Sequence, residues 1–163
     1  MNIFSIYFEK IKKFLIDLEK DKQIKLSDNL NKLTIELPPK DLQGDISCNA
    51  ALVLSKINNK KPKDIAILLK TNLIKKFPEF KNIFIAEPGF LNIEFNEDFW
   101  QKFLNDLLNL KEKYGSNSSK KNKYNVEFVS ANPTGPLHVG HCRGAVLGDV
   151  ITKLLIFNGN DVT

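Results

Sequence analysis

Two histidines, His138 and His141, stand three residues apart where an apolar helical pattern begins. That spacing puts both imidazoles on one helix face, near the positive end of the helix dipole. Free backbone N–H groups at a helix start already favour an anion. Two imidazole donors beside them can follow an oxygen as charge builds on it, which suits the phosphates of a nucleotide in a transition state. Gly140 lies between them and leaves the backbone open to a flat ring such as adenine. Gly140, Gly144 and Gly148 recur every four residues, so one face is small enough to lie against a strand or a ligand. Other chemistry could use the same residues. The histidines could join Cys142 or Asp149 around a metal, although no four-ligand cluster is present. The glycines could serve helix packing alone, and Glu127 could face solvent. A membrane dimer motif is excluded by Arg143, Asp149 and Lys153 in the same helix.

The elements that must hold these residues are legible around them. Residues 124–130 read as a strand, Asn132-Pro133-Thr134-Gly135-Pro136 as a tight loop, and 137–157 as a helix ended by Asn158-Gly159-Asn160. A second strand begins at Asp161. Strand, loop, helix and strand make the first βαβ unit of a parallel sheet. A lone unit of this kind cannot cover both faces of its sheet, so the chain is expected to be part of a longer or a split protein. Upstream, apolar positions from Ile3 to Leu18 recur at helical spacing and predict a helix over 3–20. Leu33–Leu37 alternates like a strand before Pro38-Pro39. A helix is expected over 46–57 and another over 62–76, with Pro62 in its first turn. Residues 83–86 and 90–95 read as a hairpin around Glu87-Pro88-Gly89, and Asn96 as the cap of a helix reaching Leu110.

Composition bounds the reading. The chain has 163 residues, 42% hydrophobic and 26% charged, enough to bury a core. No uncharged apolar run is long enough for a spanning helix, and the amino end lacks a secretory pattern. Cys48 and Cys142 read as free thiols of a reducing compartment rather than as a disulfide. Of the net charge of +5, residues 1–110 hold 17 lysines against 15 carboxylates, whereas residues 111–123 hold five lysines against one. That polar, Gly/Ser/Asn-rich stretch marks a domain boundary. Its charge could attract a polyanion, or could simply solvate a linker.

The stretch Val126–Ala145 resembles the HIGH-motif segment of arginyl-tRNA synthetases. His138-Val139-Gly140-His141 alone is a weak signal; the preceding Ser130–Leu137 makes it particular to the arginine enzymes within class I. Gly44–Ala51 and Pro88–Ile93 are similar to that family's additional amino-terminal tRNA-binding domain. The resemblance implies an α/β chain: a small α+β tRNA-binding domain over 1–112, a basic linker over 113–123, and over 124–163 the first βα unit of an incomplete Rossmann-like class I catalytic domain. It implies that His138 and His141 are catalytic, contacting ATP phosphates. Ala131, Asn132, Pro133, Thr134, Gly135, Pro136, Leu137, Val139 and Gly140 complete the ATP-binding segment, with Gly140 near the adenine. Glu127, Ser130 and Asn132 match positions that hold arginine. Phe90 and Asn92 match positions that read a base of the tRNA D-loop, and a ring with an amide two residues along the same strand face is a sensible RNA reader. Core packing is the other reading of Phe90.

The resemblance further implies an arginine–tRNA ligase that uses ATP, with Mg2+ accompanying it, L-arginine and tRNA(Arg). It implies a cytoplasmic, monomeric intact enzyme with no resident metal and no DNA or membrane partner. Where some members carry a lysine two residues before Leu137, this chain has Gly135. Members with glycine there rely on a lysine in a downstream KMSK loop, which is outside these 163 residues. The chain is therefore expected to be inactive by itself. The alternative is a non-catalytic RNA-binding fragment from a truncated or split gene.

Overall fold

A computed structural model describes residues 2–26, 28–117, 122–132 and 134–163. The chain divides into two units, Asn2–Asn109 and Leu110–Thr163.

The first unit opens with α1 (Ile3–Lys20), capped by Asn2, whose side chain accepts from the Phe4 N–H at 3.0 Å. Its apolar stripe of Tyr7, Ile11, Phe14, Leu15 and Leu18 is buried. A short 3-10 turn at Asp28–Lys32 leads to β1 (Ile35–Glu36). Then follow β2 (Ile46–Cys48), α2 (Ala50–Ser55) and α3 (Pro62–Lys76). The hairpin β3 (Phe80–Ala86) and β4 (Phe90–Phe95) precedes α4 (Glu97–Leu110). The strands form one antiparallel sheet in the order β1-β2-β4-β3, with Ile46 opposite Ile93, Ser47 opposite Asn92 and Ala86 opposite Phe90. Ile65, Ala66, Leu69 and Leu73 of α3 close the core with Ile83, Leu91 and Ile93 of the sheet. Asn96 caps α4 as expected, accepting from the Phe99 N–H at 2.9 Å.

Several boundaries differ from the sequence expectation. The expected helix over 46–57 begins only at Ala50, because Ile46–Cys48 is a buried strand between β1 and β4. The Leu33–Leu37 strand shortens to two residues, and β3 starts at Phe80 with an irregularity between Phe80 and Asn82. Partner strands far away in sequence decide these limits, and local periodicity does not carry that information.

In the second unit, a 3-10 turn (Lys111–Lys113) precedes β5 (Lys123–Tyr124). Then come α5 (Val139–Phe157) and β6 (Asp161–Val162). β5 and β6 pair in parallel around the helix, as the βαβ pattern predicts. The strand expected over 124–130 is shorter. One further bond, Val126 N–H to the Thr163 carbonyl at 2.8 Å, extends the pairing, and Val129 then leaves the extended region at φ 58°. The helix starts at Val139 rather than Leu137, with His138 as its cap. Among the described residues, no helix is long and apolar enough to cross a membrane.

Candidate functional site

The two histidines build the start of α5 themselves. The Gly140 N–H donates to His138 Nδ1 at 3.1 Å, and the His138 N–H donates to His141 Nδ1 at 3.1 Å. Each imidazole thus satisfies one backbone donor that a helix start leaves unpaired, a reciprocal cap built from two rings. The rings lie 3.9 Å apart, centroid to centroid. An Nδ1 that accepts a hydrogen bond carries no proton, so in the neutral ring the proton sits on Nε2. Both side chains therefore present an Nε2–H donor while their Nδ1 atoms are committed to the backbone. A Cβ at Gly140 would lie 2.9 Å from His138 Cε1, so glycine is what lets the cap close.

The segment ahead of the helix is held against it by one glycine. A Cβ at Gly148 would lie 2.2 Å from Phe128 Cγ, so only glycine accommodates the Phe128 ring on α5. Gly144 has open space instead and carries no packing role among the described residues. Glu127 and Ser130 are exposed, and the Ser130 hydroxyl donates to the Glu127 carboxylate. Ala131, Asn132 and the run Thr134–Val139 are exposed or half-buried in the approach to the helix, and Pro133 lies outside the described residues. Asp149, a possible metal ligand by sequence, is ion-paired with Lys153 at 2.7 Å. Among the described residues, no group of three His, Cys, Asp or Glu side chains is placed to hold a metal. Cys142 is an exposed free thiol, whereas Cys48 is buried, and that burial pushes its thiol pKa up to about 12.

Phe90 and Asn92 meet in a separate place, a cleft of about 330 Å³ on the first unit. Phe90 is half-buried and lines this cleft rather than joining the core. Asn92 is 1% exposed, and its Oδ1 has no hydrogen-bond partner among the described residues. Leaving a buried amide oxygen unpaired costs about 1–3 kcal/mol, so a ligand donor that completes it gains that amount back. Gly44, at φ +122°, runs so close to Asn92 that a Cβ there would lie 3.0 Å from Asn92 Cβ. The next residue, Asp45, pins the same strand by accepting the Phe95 N–H at 2.8 Å. Glu36, Ser47 and Glu87 also line the cleft, and sequence reasoning missed all three. Their only signal was the strand register, which places Ser47 opposite Asn92.

The described chain is thus an antiparallel-sheet unit followed in sequence by a parallel β–α–β turn with two histidines at its helix start. Residues 103–163 match the catalytic domain of class I (R) tRNA synthetases. Residues 7–95, more than half the chain, match the arginyl tRNA synthetase N terminal domain, and the chain belongs to that family. It is 48% identical over 164 residues to the arginine–tRNA ligase of Pelagibacter ubique, covering 100% of this chain and 28% of that protein. It is 41% identical to the arginine–tRNA ligase of Brucella anthropi over 99% of this chain and 28% of that one. Arginyl-tRNA synthetase from Plasmodium falciparum shares the fold at a TM-score of 0.63, with 21% identity over 96% of this chain and 29% of that chain. The chain thus spans 28% of the length of these curated relatives.

Proposed function

We propose that this chain supplies the amino-terminal part of an arginine–tRNA ligase. Residues 1–112 bind tRNA, 113–123 link, and 124–163 begin the catalytic domain. In that enzyme the carboxylate of L-arginine attacks the α-phosphate of ATP, pyrophosphate leaves, and the arginyl group of the adenylate then passes to the 3′ end of tRNA(Arg). The first step needs alignment and charge stabilisation more than it needs a base. His138 and His141 donate through Nε2–H to phosphate oxygens, Gly140 lies near the adenine, and Ala131–Leu137 lines the nucleotide. Glu127 pairs with a cationic group of arginine, while Ser130 and Asn132 hold its polar ends. Phe90 and Asn92 take an unpaired base of the tRNA D-loop. Magnesium accompanies the nucleotide, and the intact enzyme is monomeric and cytoplasmic.

The observation that carries this reading is the reciprocal histidine cap, which commits both Nδ1 atoms and leaves two donors at a helix start. The test is a chimera in which this chain replaces the matching 28% of the Pelagibacter ubique ligase. The chimera is expected to form arginyl-tRNA(Arg), and the 163-residue chain alone is not. An inactive but folded chimera, with a chain that still binds tRNA, would favour a non-catalytic RNA-binding role.

A further inference from the structure

The cleft that holds Phe90 and Asn92 is lined by two carboxylates, Glu36 and Glu87. Such a lining repels the phosphates on either side of any nucleotide whose base enters it, unless positive charge stands close by. A segment remote in sequence packs against the turn next to Phe90. A Cβ on Gly89 would lie 2.8 Å from Pro62 Cβ, so the β3–β4 turn is closed directly onto the first residue of α3. Gly89 adjoins Phe90, and Pro62 is flanked by Lys60, Lys61 and Lys63. All three lysines are exposed, and none has an ion pair among the described residues. At the start of α3 Pro62 has no N–H and the Asp64 and Ile65 N–H groups donate to the Lys61 carbonyl at 3.0 and 3.2 Å, so the positive charge there is that of the lysine side chains, set against the one carboxylate of Asp64. The unpaired, buried Asn92 Oδ1 independently marks the adjoining cleft as a place where a ligand donor is missing.

We propose that Lys60, Lys61 and Lys63 form a phosphate-binding rim to this cleft, gripping the RNA backbone beside the nucleotide whose base enters it. The proposal rests on the reading of the cleft as a base pocket. Specificity then comes from Phe90 and Asn92, and most of the salt-dependent affinity from the three lysines.

The experiment is equilibrium binding of a labelled tRNA(Arg) transcript to the 163-residue chain across a potassium chloride series. Four proteins are compared: the parent, Lys60→Gln/Lys61→Gln/Lys63→Gln, Lys75→Gln/Lys76→Gln at the far end of α3, and Phe90→Ala. Circular dichroism melts confirm that each is folded. Each lost phosphate contact removes about 0.7–0.9 from the slope of log affinity against log salt, so the triple variant should lose about two slope units and bind at least roughly tenfold more weakly near 0.1 M salt. The Lys75/Lys76 pair should leave the slope as it was. A triple variant with the parent slope, or a pair that flattens it equally, overturns the rim. Failure of the pocket looks different: Phe90→Ala then binds like the parent while the triple variant still loses its slope, and the phosphate rim stands without the base.

Discussion

The two units hold their chemistry-bearing residues by opposite means. In Asn2–Asn109, Asn92 is fixed by burial: strands cover it on both sides, and the Gly44 backbone lies across it. Every buried apolar side chain among the described residues, from Tyr7 to Phe95, belongs to this unit. In Leu110–Thr163, the only buried residue of α5 is Gly148, while Val139, Val146, Leu147, Val150 and Leu154 are exposed. The histidines are nevertheless oriented there, because they bond to backbone atoms within three residues of themselves. Burial positions a side chain through many weak contacts and resists small changes nearby. A local cap positions it through one or two bonds, and it works even on a helix that buries almost nothing.

The largest effect that can break this comparison is on stability. Ile93→Ala or Leu69→Ala should destabilise the chain by about 2–5 kcal/mol, as large-to-small changes in a packed core do. Val150→Ala or Leu154→Ala should change it by less than about 0.5 kcal/mol. Urea denaturation measures both, and equal losses would mean that the apolar face of α5 is covered in solution.

Next is rate. In the active chimera, His138→Ala or His141→Ala should slow arginyl-adenylate formation, assayed with tRNA present, by about a hundred- to a thousandfold, the usual cost of one preorganised donor. The Michaelis constant for ATP should move much less, since the donors act on charge that develops in the transition state. Full activity in both variants, or stoichiometric zinc that either substitution removes, would sink the phosphate role.

A smaller effect falls on the first unit. Phe90→Ala should weaken tRNA binding by about 1–3 kcal/mol, the cost of one lost base stack. Unchanged affinity would return Phe90 to a packing role.

The smallest effect is in pH. Burial opposes the charge on Glu79, but hydrogen bonds from Lys10, from its own backbone and from Tyr7 outweigh it and hold the carboxyl below its ordinary range. A depressed folded-state pKa adds stability above the unfolded value of about 4.3. That stability is lost as pH falls through the lower folded value. Burial, then the neighbouring Glu79, raises the Tyr7 hydroxyl. Its share is therefore present below the ordinary tyrosine value of about 10 and is lost as pH rises past it. Thermal melts of Glu79→Gln should show a flatter acid limb than the parent, and parallel curves would remove Glu79 from the balance.

What could be read from the sequence was local. The stripe of α1, Pro62 at the start of α3, the Asn96 cap and the hairpin around Gly89 all depend on residues within one or two turns of each other, and they lie where the pattern places them. The histidine pair is legible for the same reason, since a helix start and a three-residue spacing are both local facts. Sheet partnership is not local. Nothing near Ile46 says that Ile93 lies opposite it, so local periodicity extends the helix of α2 back over a strand there. Nothing near Phe128 says that strand pairing stops at Val126 and that the ring turns onto Gly148. The cleft and its rim belong to the same category. Only the antiparallel register sets Ser47 against Asn92, and only the folded chain closes Gly89, the neighbour of Phe90, onto Pro62. Side chains that bond to their own turn are specified by sequence spacing, whereas those brought together across a sheet are specified by strand pairing that only the folded chain establishes.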